Sequence, residues 1–449
     1  MRTEAPLRSV GRSLRLVLVG VVASLLGAGG ALWSPVHAQS AAGYQLDEAR
    51  VLAPGVEYQR LVRSDGPVVA HVVRVQQSSP SVRQQTVPSN RRSEQTSQMC
   101  QRVGCIAAIN GDFYQPSTGE PVGGIAHAGR TLLSPVPHHD QLSVSAAGGL
   151  AAGPVTWSGS LSLSGLGELK IDALNRKGAV DGVTLYTPDY GAATPATSSS
   201  AELVLRTLDL PLSLGPARTG LVELVTMNDG SGGTAIPPDG VVLAGKGTGT
   251  VSVRELWQRS KGNLLGSTAL FQLQTSPALF ESIGGGPILL KGGQVAVPTD
   301  GSSLVAGRHP RTMVGWNQTH SFLVAVDGRQ PGYSTGLTLV EAANFLAGLG
   351  ATEGINLDGG GSSTLVLNGA VVNRPSDRLV LRGGSEQVVA FPRAGDMVVG
   401  PVERPVANAM AVVGAPQLSL LEGLVGPDLL NLPPGVGVAG PRQDPASRP

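Results

Sequence analysis

The clearest pattern of apolar and polar positions lies in residues 321–349. The run 321–326 (SFLVAV) has the length and composition of a buried strand and ends in the turn Asp327-Gly328-Arg329. Thr338 and Glu341 have the spacing of a capping box, in which each side chain bonds a backbone N–H at the start of a helix. The pattern therefore predicts a strand, a turn and a helix that continues over 342–349.

The next apolar run leads into the most informative stretch of the chain. Residues 354–357 (GINL) are followed by Asp358, three glycines and three hydroxyl residues (GGGSST). Glycine permits close approach of the main chain, and successive N–H groups in such a turn can bind an anion. The apolar run 364–367, followed by Asn-Gly at 368–369, predicts a hairpin.

Other segments show weaker patterns. The runs 68–75 (VVAHVVRV) and 105–109 (CIAAI) predict strands, and the polar–apolar alternation of 141–175 is typical of antiparallel strands. Residues 77–98 are rich in Gln, Ser and Arg, so we expect an exposed loop or a weakly supported helix. Residues 194–201 predict a loop rich in Ser, Thr and Ala.

Composition agrees with a chain of short strands. The 449 residues include 62 glycines and 33 prolines, which suits many turns and few long helices. Charged residues make up 14%, against about 25% in typical globular proteins, and the net charge is +1. Bulk electrostatics therefore predict neither nucleic-acid binding nor attraction to an anionic membrane.

The two ends of the chain differ from its middle. Residues 1–38 have an arginine-rich start, an uncharged and mostly apolar stretch over 16–33, and a small-x-small site at 36–38, which together predict a cleaved export signal. The alternative is an uncleaved anchor, because about 18 residues can just span a bilayer. No membrane span is predicted after signal removal. Residues 415–449 are rich in proline and glycine, which predicts a flexible tail.

Cys100 and Cys105 are the two cysteines of the chain. In an exported protein this close pair predicts a local disulfide, which would add modest stability because its loop is small. A metal site would need more ligands nearby, and a redox pair more often has the C-x-x-C spacing.

Polar residues beside glycines recur at three predicted strand ends. The first cluster contains Asn110 and Asp112, the second contains Arg308 and Arg311, and the third is the segment 356–363. Such strand ends are where sites are usually assembled. For each cluster the alternative is a tight turn, in which Asp or Asn bonds its own backbone.

The carboxylates are the candidate catalytic groups. Asp358 is the best candidate for an acid, base or nucleophile, and Asp112 is the natural second carboxylate. Two carboxylates that flank a sugar supply an acid and a base or nucleophile. Asp327 is weaker, because D-G-R after a strand is an ordinary turn, and Glu341 is explained by helix capping.

Candidate substrate-binding residues accompany these carboxylates. Arg311 is the best anion clamp, because its guanidinium can grip a phosphate with two parallel bonds, and Arg308 is near enough in sequence to assist. Asn110 and Asn356 are expected to bond sugar hydroxyls or to orient the carboxylates, while N–H groups around 360–363 would hold the phosphate. The full set of predicted binding residues is Arg311, Asn110, Asn356, Gly360, Gly361, Ser362, Ser363, Arg308 and Asp327.

Several other chemistries lack their motifs. The glycine segment has no G-K-[ST] of a P-loop, there is no G-x-S-x-G elbow, and the seven histidines lack zinc spacing. Cofactor fingerprints are missing as well, so no cofactor is predicted. A divalent metal held by the carboxylates stays an open alternative.

With these segments assembled, the chain resembles the phosphodiester glycosidase family. The matching segments are 108–114 (AINGDFY), 283–289 (IGGGPIL), 308–312 (RHPRT), 326–329 (VDGR), 337–339 (LTL), 356–364 (NLDGGGSST), 373–377 (NRPSD) and 403–408 (ERPVAN). Each is weak alone, but they run in the family's order over about 300 residues. Residues 378–402 form a longer interval than is usual in the family and are a candidate loop over the site that alters substrate range.

The resemblance implies a single α+β domain over 39–414, a mixed domain rich in antiparallel strands with a few helices. It implies an exported hydrolase that cleaves the bond between a sugar's anomeric carbon and a phosphodiester oxygen, with N-acetylglucosamine or cell-envelope glycan phosphodiesters as candidate substrates. Phosphate is already a weakly basic leaving group. The main demand therefore falls on a carboxylate that stabilises the oxocarbenium ion, attacks it or activates water, and Asp358 is predicted for that role.

Two other functions fit the same residues. An exported, non-catalytic binder of a phosphate-linked glycan is one, although aromatic residues, which usually stack on sugars, make up only 4% of the chain. A phosphodiesterase acting at phosphorus is the other, and it would be expected to use a metal ion.

Overall fold

The computed structural model describes residues 41, 43–90, 92–177, 181–207, 218–261, 264, 266–382 and 385–415. The predicted export signal over 1–38 and residues 416–449 of the predicted tail lie outside this range. All described residues belong to the unit 39–449. Within them, no helix has both the length and the apolar character needed to cross a membrane.

Strands dominate the described residues. The first ten are β1 (Gln45–Ala53), β2 (Val56–Arg63), β3 (Val68–Gln76), β4 (Val82–Pro88), β5 (Cys105–Asn110), β6 (Ile125–His127), β7 (Arg130–Leu133), β8 (Asp140–Val144), β9 (Leu150–Pro154) and β10 (Thr156–Leu163). The next ten are β11 (Gly167–Ile171), β12 (Ala173–Leu174), β13 (Gly182–Tyr186), β14 (Ala196–Thr207), β15 (Arg218–Gly232), β16 (Gly240–Lys246), β17 (Thr268–Ser276), β18 (Glu281–Gly285), β19 (Ile288–Lys291) and β20 (Gln294–Val295). The remaining strands are β21 (Arg311–Trp316), β22 (His320–Val326), β23 (Glu353–Asn356), β24 (Leu365–Leu367), β25 (Ala370–Val371), β26 (Arg378–Arg382), β27 (Ser385–Val389), β28 (Met397–Pro401) and β29 (Asn408–Gly414).

The strands form five sheets in the described part of the chain. Sheet 1 has the order β1-β2-β3-β22-β21-β23-β19-β20, and sheet 2 has the order β11-β10-β17-β15-β14-β16-β13-β12. Sheet 3 is β7-β6-β18-β8-β9, sheet 4 is β25-β24-β5-β29-β4, and sheet 5 is β27-β26-β28. The strand pairings are antiparallel apart from β12 with β13. The prediction of a mixed domain rich in antiparallel strands is therefore confirmed.

The helices are short and few. They are α1 (Thr96–Val103), α2 (Thr248–Arg259), α3 (Ser303–Ala306) and α4 (Leu339–Gly348), with a 3-10 turn over Gly360–Ser362. The predicted capping box of α4 is confirmed: the Thr338 hydroxyl accepts from the Glu341 N–H at 3.1 Å, and the Glu341 carboxylate accepts from the Thr338 N–H at 2.9 Å.

Sheet 1 is covered on both faces, which explains the continuous apolar runs of its central strands. In β3, Val68, Ala70 and Val72 pack on the α4 side, whereas Val73 and Val75 pack on the side of sheet 4. Successive side chains of a strand point to opposite faces, so a strand buried on both sides is apolar at nearly every position. The predicted strands at 68–75, 105–109 and 321–326 are confirmed.

Two loop predictions are wrong. Residues 77–98 contain β4 and the start of α1, and residues 194–201 contain the start of β14. The strand β4 was missed because its polar residues (RQQT) mark an exposed segment in sequence, whereas Thr86 is fully buried and its N–H donates to the Glu281 carboxylate at 2.8 Å. The Thr86 N–H is therefore buried with a partner from sheet 3, whereas the side-chain oxygens of Gln84 and Thr86 are buried without a hydrogen-bond partner among the described residues.

The ends of β5, β18, β21 and β23 meet and bring the three polar clusters together. The Asp358 N–H donates to the Gly111 carbonyl at 3.0 Å, which joins the end of β23 to the end of β5. The Gly286 N–H donates to the Asn356 carbonyl at 2.7 Å, which adds the end of β18. Sheets 1, 3 and 4 therefore contribute to one shared edge.

Candidate active site

Asn110 joins the strand ends from the inside. Its amide donates to the Asp358 carbonyl at 2.7 Å, and its Oδ1 accepts from the Thr312 hydroxyl at 2.7 Å and from the Thr364 N–H at 3.0 Å. The side chain is fully buried. Of its two predicted roles, this geometry fits orientation of a carboxylate rather than contact with a sugar hydroxyl.

Asp112 lies two residues beyond Asn110 and is fully buried. Its Oδ2 accepts from the Gly123 N–H at 2.5 Å, and its Oδ1 lies 3.0 Å from Nε2 of His139. Gly284 lies so close to the carboxylate that a side chain there would displace it. Both oxygens of Asp112 are therefore held in place, and the glycine-rich segments around Gly123 and Gly284 are what allow this.

Asp358 is only partly buried and follows β23 by two residues. The pKa of Asp358 is raised to about 6, mainly by burial and to a smaller extent by the Asp112 carboxylate. The Ser362 hydroxyl and the Arg404 guanidinium act in the opposite direction and lower this pKa. A carboxyl with such a pKa is ionised at neutral pH and still basic enough to take a proton. Asp358 and Asp112 thus act on each other electrostatically, as expected for a working pair.

The glycine segment after Asp358 does not present the row of N–H groups that the sequence suggested. The N–H groups of Gly360, Ser362 and Ser363 donate to the carbonyls of Pro310, Gly359 and Gly360 respectively. These bonds build the 3-10 turn and attach it to the neighbouring strand. Three of the four N–H groups of residues 360–363 are therefore used within the fold.

Two arginines lie against the glycine segment. The Arg404 guanidinium bonds the buried Asp377 carboxylate, and a side chain at Gly361 would collide with both members of that pair. The Arg329 guanidinium lies about 3 Å from the position of a Cβ on Gly360, whose φ is 64°. Glycines at both positions let two guanidiniums approach the main chain beside Asp358.

Arg329 is a candidate site residue that the sequence analysis did not identify, because D-G-R was interpreted as an ordinary turn. The residue adopts φ 58°, a left-handed conformation that is uncommon for arginine. Its Nε is buried and has no hydrogen-bond partner among the described residues. Burial lowers its pKa, as does Arg404, while Asp377 and Asp358 raise it. The D-G-R turn therefore aims a cation at the site.

Arg311 does not occupy the predicted position of an anion clamp. Its guanidinium is buried, donates to the carbonyls of Leu337, Leu304 and Gly307 at 2.7 to 2.8 Å, and burial lowers its pKa to about 10. Arg308 is exposed and pairs with Glu341 at the start of α4. Both residues stabilise the segment before β21, and the structure does not bring either guanidinium to Asp358.

Asp327 is also engaged elsewhere. Its Oδ1 accepts from Asn373 at 3.0 Å and from the Arg374 N–H at 2.9 Å, and its Oδ2 accepts from the Tyr333 hydroxyl at 2.9 Å and lies 3.3 Å from His71. The carboxylate is fully buried. Its predicted substrate-binding role is therefore replaced by an internal one, which anchors the turn that carries Arg329.

Two predicted binding residues, Asn356 and Ser363, and the neighbouring Thr364 have buried polar atoms without a partner. Oδ1 of Asn356 and the hydroxyls of Ser363 and Thr364 are buried without a hydrogen-bond partner among the described residues. Buried polar atoms are nearly always paired, so unpaired ones mark strain or function. Asn356 also donates to the Gly286 carbonyl at 2.9 Å, which fixes the direction of its free oxygen.

Sequence reasoning missed four side chains of the site. Arg404, Asp377 and Arg329 lie in segments whose resemblance was noted without roles for these residues. His139 had no motif to reveal it, because 27 residues separate it from Asp112. The described residues contain no group of three His, Cys, Asp or Glu side chains that could hold a metal ion.

The predicted disulfide is confirmed. Cys100 in α1 bonds Cys105 at the start of β5. The bond therefore ties α1 to the strand that ends at Asn110.

Part of the chain matches the model of a known protein family. Residues 220–413 match the model of the family described as phosphodiester glycosidase, so the predicted resemblance is confirmed over that part of the chain. This range includes Asp358, Asp377 and Arg404, whereas Asp112 and His139 lie before it.

One curated relative and two solved structures are similar to the chain. A segment of 68 residues is 44% identical to bovine N-acetylglucosamine-1-phosphodiester alpha-N-acetylglucosaminidase and covers 15% of this chain and 12% of the bovine protein. A hypothetical protein from Synechocystis has a TM-score of 0.63 at 20% identity, with 83% of this chain and 68% of that one covered. A protein from Burkholderia pseudomallei described as exported has a TM-score of 0.57 at 21% identity, over 78% of this chain and 75% of that one. The two structures show a shared fold.

Proposed function

We propose that this protein hydrolyses sugar-1-phosphodiesters by breaking the bond between the anomeric carbon and the phosphodiester oxygen. The observation that carries the proposal is Asp358: a partly accessible carboxyl with a pKa near 6, beside a second carboxylate and two guanidiniums. Carboxylates suit a sugar cation, and guanidiniums suit a phosphate. The match to the phosphodiester glycosidase family over 220–413 supports the same reaction.

In this proposal each group has one part of the substrate as its partner. The sugar lies over Asp358, with the free oxygen of Asn356 and the hydroxyl of Ser363 as partners for its own hydroxyls. The phosphate lies towards Arg404 and Arg329, on the glycine segment. As the C–O bond breaks, its electron pair goes to the phosphate oxygen, and these cations stabilise the growing charge.

Asp358 either activates water or attacks the anomeric carbon itself. In both cases a water oxygen ends on the sugar, a phosphomonoester leaves, and the proton of water is taken up by a carboxylate or by solvent. Asp112, held by His139 and the Gly123 N–H, is the second carboxylate of the reaction. Asn110 positions Asp358 through its carbonyl.

We also propose a substrate class and a cellular location. N-acetylglucosamine is the first sugar to test, because the name of the bovine relative includes it. The charged start and apolar stretch of residues 1–38 support export, which makes cell-envelope glycan phosphodiesters plausible targets.

The test is hydrolysis of N-acetylglucosamine-1-phosphate methyl ester in ¹⁸O-labelled water, with and without chelator. Label in the released sugar supports cleavage at the anomeric carbon. Label in the phosphate would mean attack at phosphorus, and chelator sensitivity would then indicate a metal-dependent phosphodiesterase. Tight binding of the ester without turnover would favour the alternative function, a non-catalytic protein that binds a phosphate-linked glycan.

A matched pair of variants links turnover to the site. Asp358→Asn is expected to abolish hydrolysis and to leave the circular dichroism spectrum unchanged. Asp300→Asn replaces an exposed loop carboxylate whose partner is the Ser302 N–H, and is expected to retain full activity. Activity in the Asp358 variant would overturn the assignment.

A further inference from the structure

Among the described residues, six of the fourteen exposed large apolar residues lie in one small sheet and its connections beside the site. We call residues 378–382 and 385–401, which form sheet 5 and its connections, the flap. Among the described residues the three most exposed large apolar side chains are Phe391, Met397 and Val399, with 67%, 66% and 57% of their surface accessible. Contiguous exposed apolar surface of this kind usually marks an interaction site.

Four apolar residues of the flap share one side of the sheet. Leu381 lies opposite Met397, and Leu379 lies opposite Val388, in antiparallel register. Directly opposite residues, and residues two apart in a strand, point to the same side of a sheet. Val380, between the two leucines, points to the other side and is fully buried. Val398 lies opposite Val380 on that second side and is 49% exposed, so the flap presents apolar surface on both sides. The side with the two leucines is the more apolar one, with Glu386 opposite Leu381 as its charged neighbour.

The flap begins and ends at the site. Asp377 immediately precedes β26, Arg404 follows β28 by three residues, and the ion pair between them closes the base of the flap against Gly361. The Val402 N–H also donates to the Asp377 carbonyl at 3.0 Å. Any group that leaves the phosphate position on this side passes the base of the flap.

Phe391 connects the open apolar surface to the proposed phosphate position. Its ring lies 5.4 Å from the Arg329 guanidinium carbon, the distance of a cation–π contact. Arg329 in turn lies against Gly360. One side of this guanidinium thus faces the site, and another carries the first aromatic ring of the apolar surface.

A phosphodiester has two ends, and the site described above accounts for one of them. We propose that the flap binds the second ester group, and that this group is a hydrocarbon alcohol. The inference rests on the proposed function, because it requires a phosphate held at Arg329 and Arg404. A hydrocarbon chain leaving that phosphate meets Phe391 first and then the apolar residues of the flap, whose burial it would complete. The substrates are then sugar-1-phosphate esters of lipid alcohols.

The test compares two esters of N-acetylglucosamine-1-phosphate, methyl and octyl, at concentrations below micelle formation. We expect kcat/KM for the octyl ester to exceed that for the methyl ester by about tenfold or more, because each buried methylene adds to binding. Phe391→Ser should reduce the ratio to about threefold or less, and Phe391→Leu should restore most of it.

Val251→Ser, on α2, is the control for Val388→Ser, because these valines are 55% and 52% exposed. Only the Val388 change should lower the ratio.

The outcomes separate this inference from the function on which it rests. Hydrolysis of the methyl ester with an octyl-to-methyl ratio near one would overturn the flap proposal alone. Failure to hydrolyse either ester would overturn both. A Phe391→Ser variant that keeps the ratio but loses binding to phosphatidylglycerol vesicles would make the flap a membrane contact, and would also overturn the proposal.

Discussion

Arg404 holds Asp377 through two parallel hydrogen bonds, from Nε to Oδ2 at 2.7 Å and from Nη2 to Oδ1 at 3.0 Å. The carboxylate side chain is 2% exposed, whereas that of the arginine is 33% exposed. Asp377 therefore fixes the plane of a guanidinium that still has an accessible side. Although burial works against it, the Asp377 carboxylate raises the pKa of Arg404, so the cation is permanent at any pH of interest.

Arg404→Lys is expected to lower kcat/KM for the methyl ester by about tenfold or more, because an ammonium cannot make the bidentate contact that sets the orientation. The free energy of unfolding should fall by roughly 1–3 kcal/mol, since Asp377 stays buried with a poorer partner. Thermal melts and initial rates measure both effects.

Arg382→Lys is the matched control for this change. Arg382 makes the same two-bond contact with Asp396, at 2.8 and 2.6 Å, within the flap, which the methyl ester does not need. Because this ion pair is solvent-exposed, we expect a smaller loss of stability than for Arg404→Lys, and we expect most of the methyl-ester activity to be retained. Equal loss of activity in both variants would show that Arg404 acts only through the fold.

Gly361→Ala is expected to reduce turnover by about a hundredfold or more. A Cβ there would collide with Asp377 Oδ1 and Arg404 Nη2, so the ion pair must move away from the site. Overpacking of this kind typically costs about 1–3 kcal/mol. Gly414→Ala, where nothing lies within 4 Å of the added carbon, should behave as wild type in the same melting and rate assays. An active Gly361→Ala enzyme would contradict the proposed role of the pair.

Local patterns predicted the central elements because burial on both faces demands apolar runs and because α4 carries its own cap. The hairpin at 368–369 was predicted from its Asn-Gly pair. Both residues adopt the positive φ, 49° and 82°, that such a turn requires. The strand β4 could not be predicted, since its polar side chains are buried by partners that are distant in sequence.

The site was predictable only in part. Asp358 and Asp112 were predicted because each follows an apolar run and is flanked by glycines, and the structure brings them close enough to interact electrostatically. The structure does not place the predicted phosphate-binding arginines at Asp358. Several arginines lie near strand ends, and the sequence does not show which guanidiniums donate their hydrogen bonds to backbone carbonyls. Arg311 donates to three of them, whereas Arg329 keeps a buried Nε without a partner among the described residues.

The pH dependence of turnover should follow Asp358. Since burial raises its pKa to about 6, kcat/KM should fall below about pH 6 as the carboxylate takes up a proton. An unperturbed carboxylate would place this limb near pH 4. A profile of the methyl ester from pH 3 to 9 measures the limb, and a limb near pH 4 would contradict a basic role for Asp358.

The same shift sets a pH dependence of stability. The unfolded chain ionises Asp358 near pH 4, so between about pH 4 and 6 the folded state holds the extra proton. The stabilisation of the folded state by this proton is fully present below about pH 4 and is lost as pH rises through about 6. Asp358→Asn should therefore exceed wild type in unfolding free energy by about 1–3 kcal/mol at pH 8, and by much less at pH 4. Denaturant titrations at the two pH values measure this, and an equal gain at both would contradict it.

His139 is expected to be a positioning residue for Asp112. Its Nε2 lies 3.0 Å from Oδ1, while the Gly123 N–H holds the other oxygen, so the carboxylate has one mobile partner and one fixed partner. His139→Asn should lower kcat about tenfold with little change in KM, because substrate contacts stay in place while the carboxylate loses its orientation. The acid limb set by Asp358 should stay near pH 6. His138→Asn, at the exposed neighbouring position with φ 64°, is the matched control and should retain wild-type kcat. A rise in KM alone for the His139 variant would instead place this residue in substrate binding.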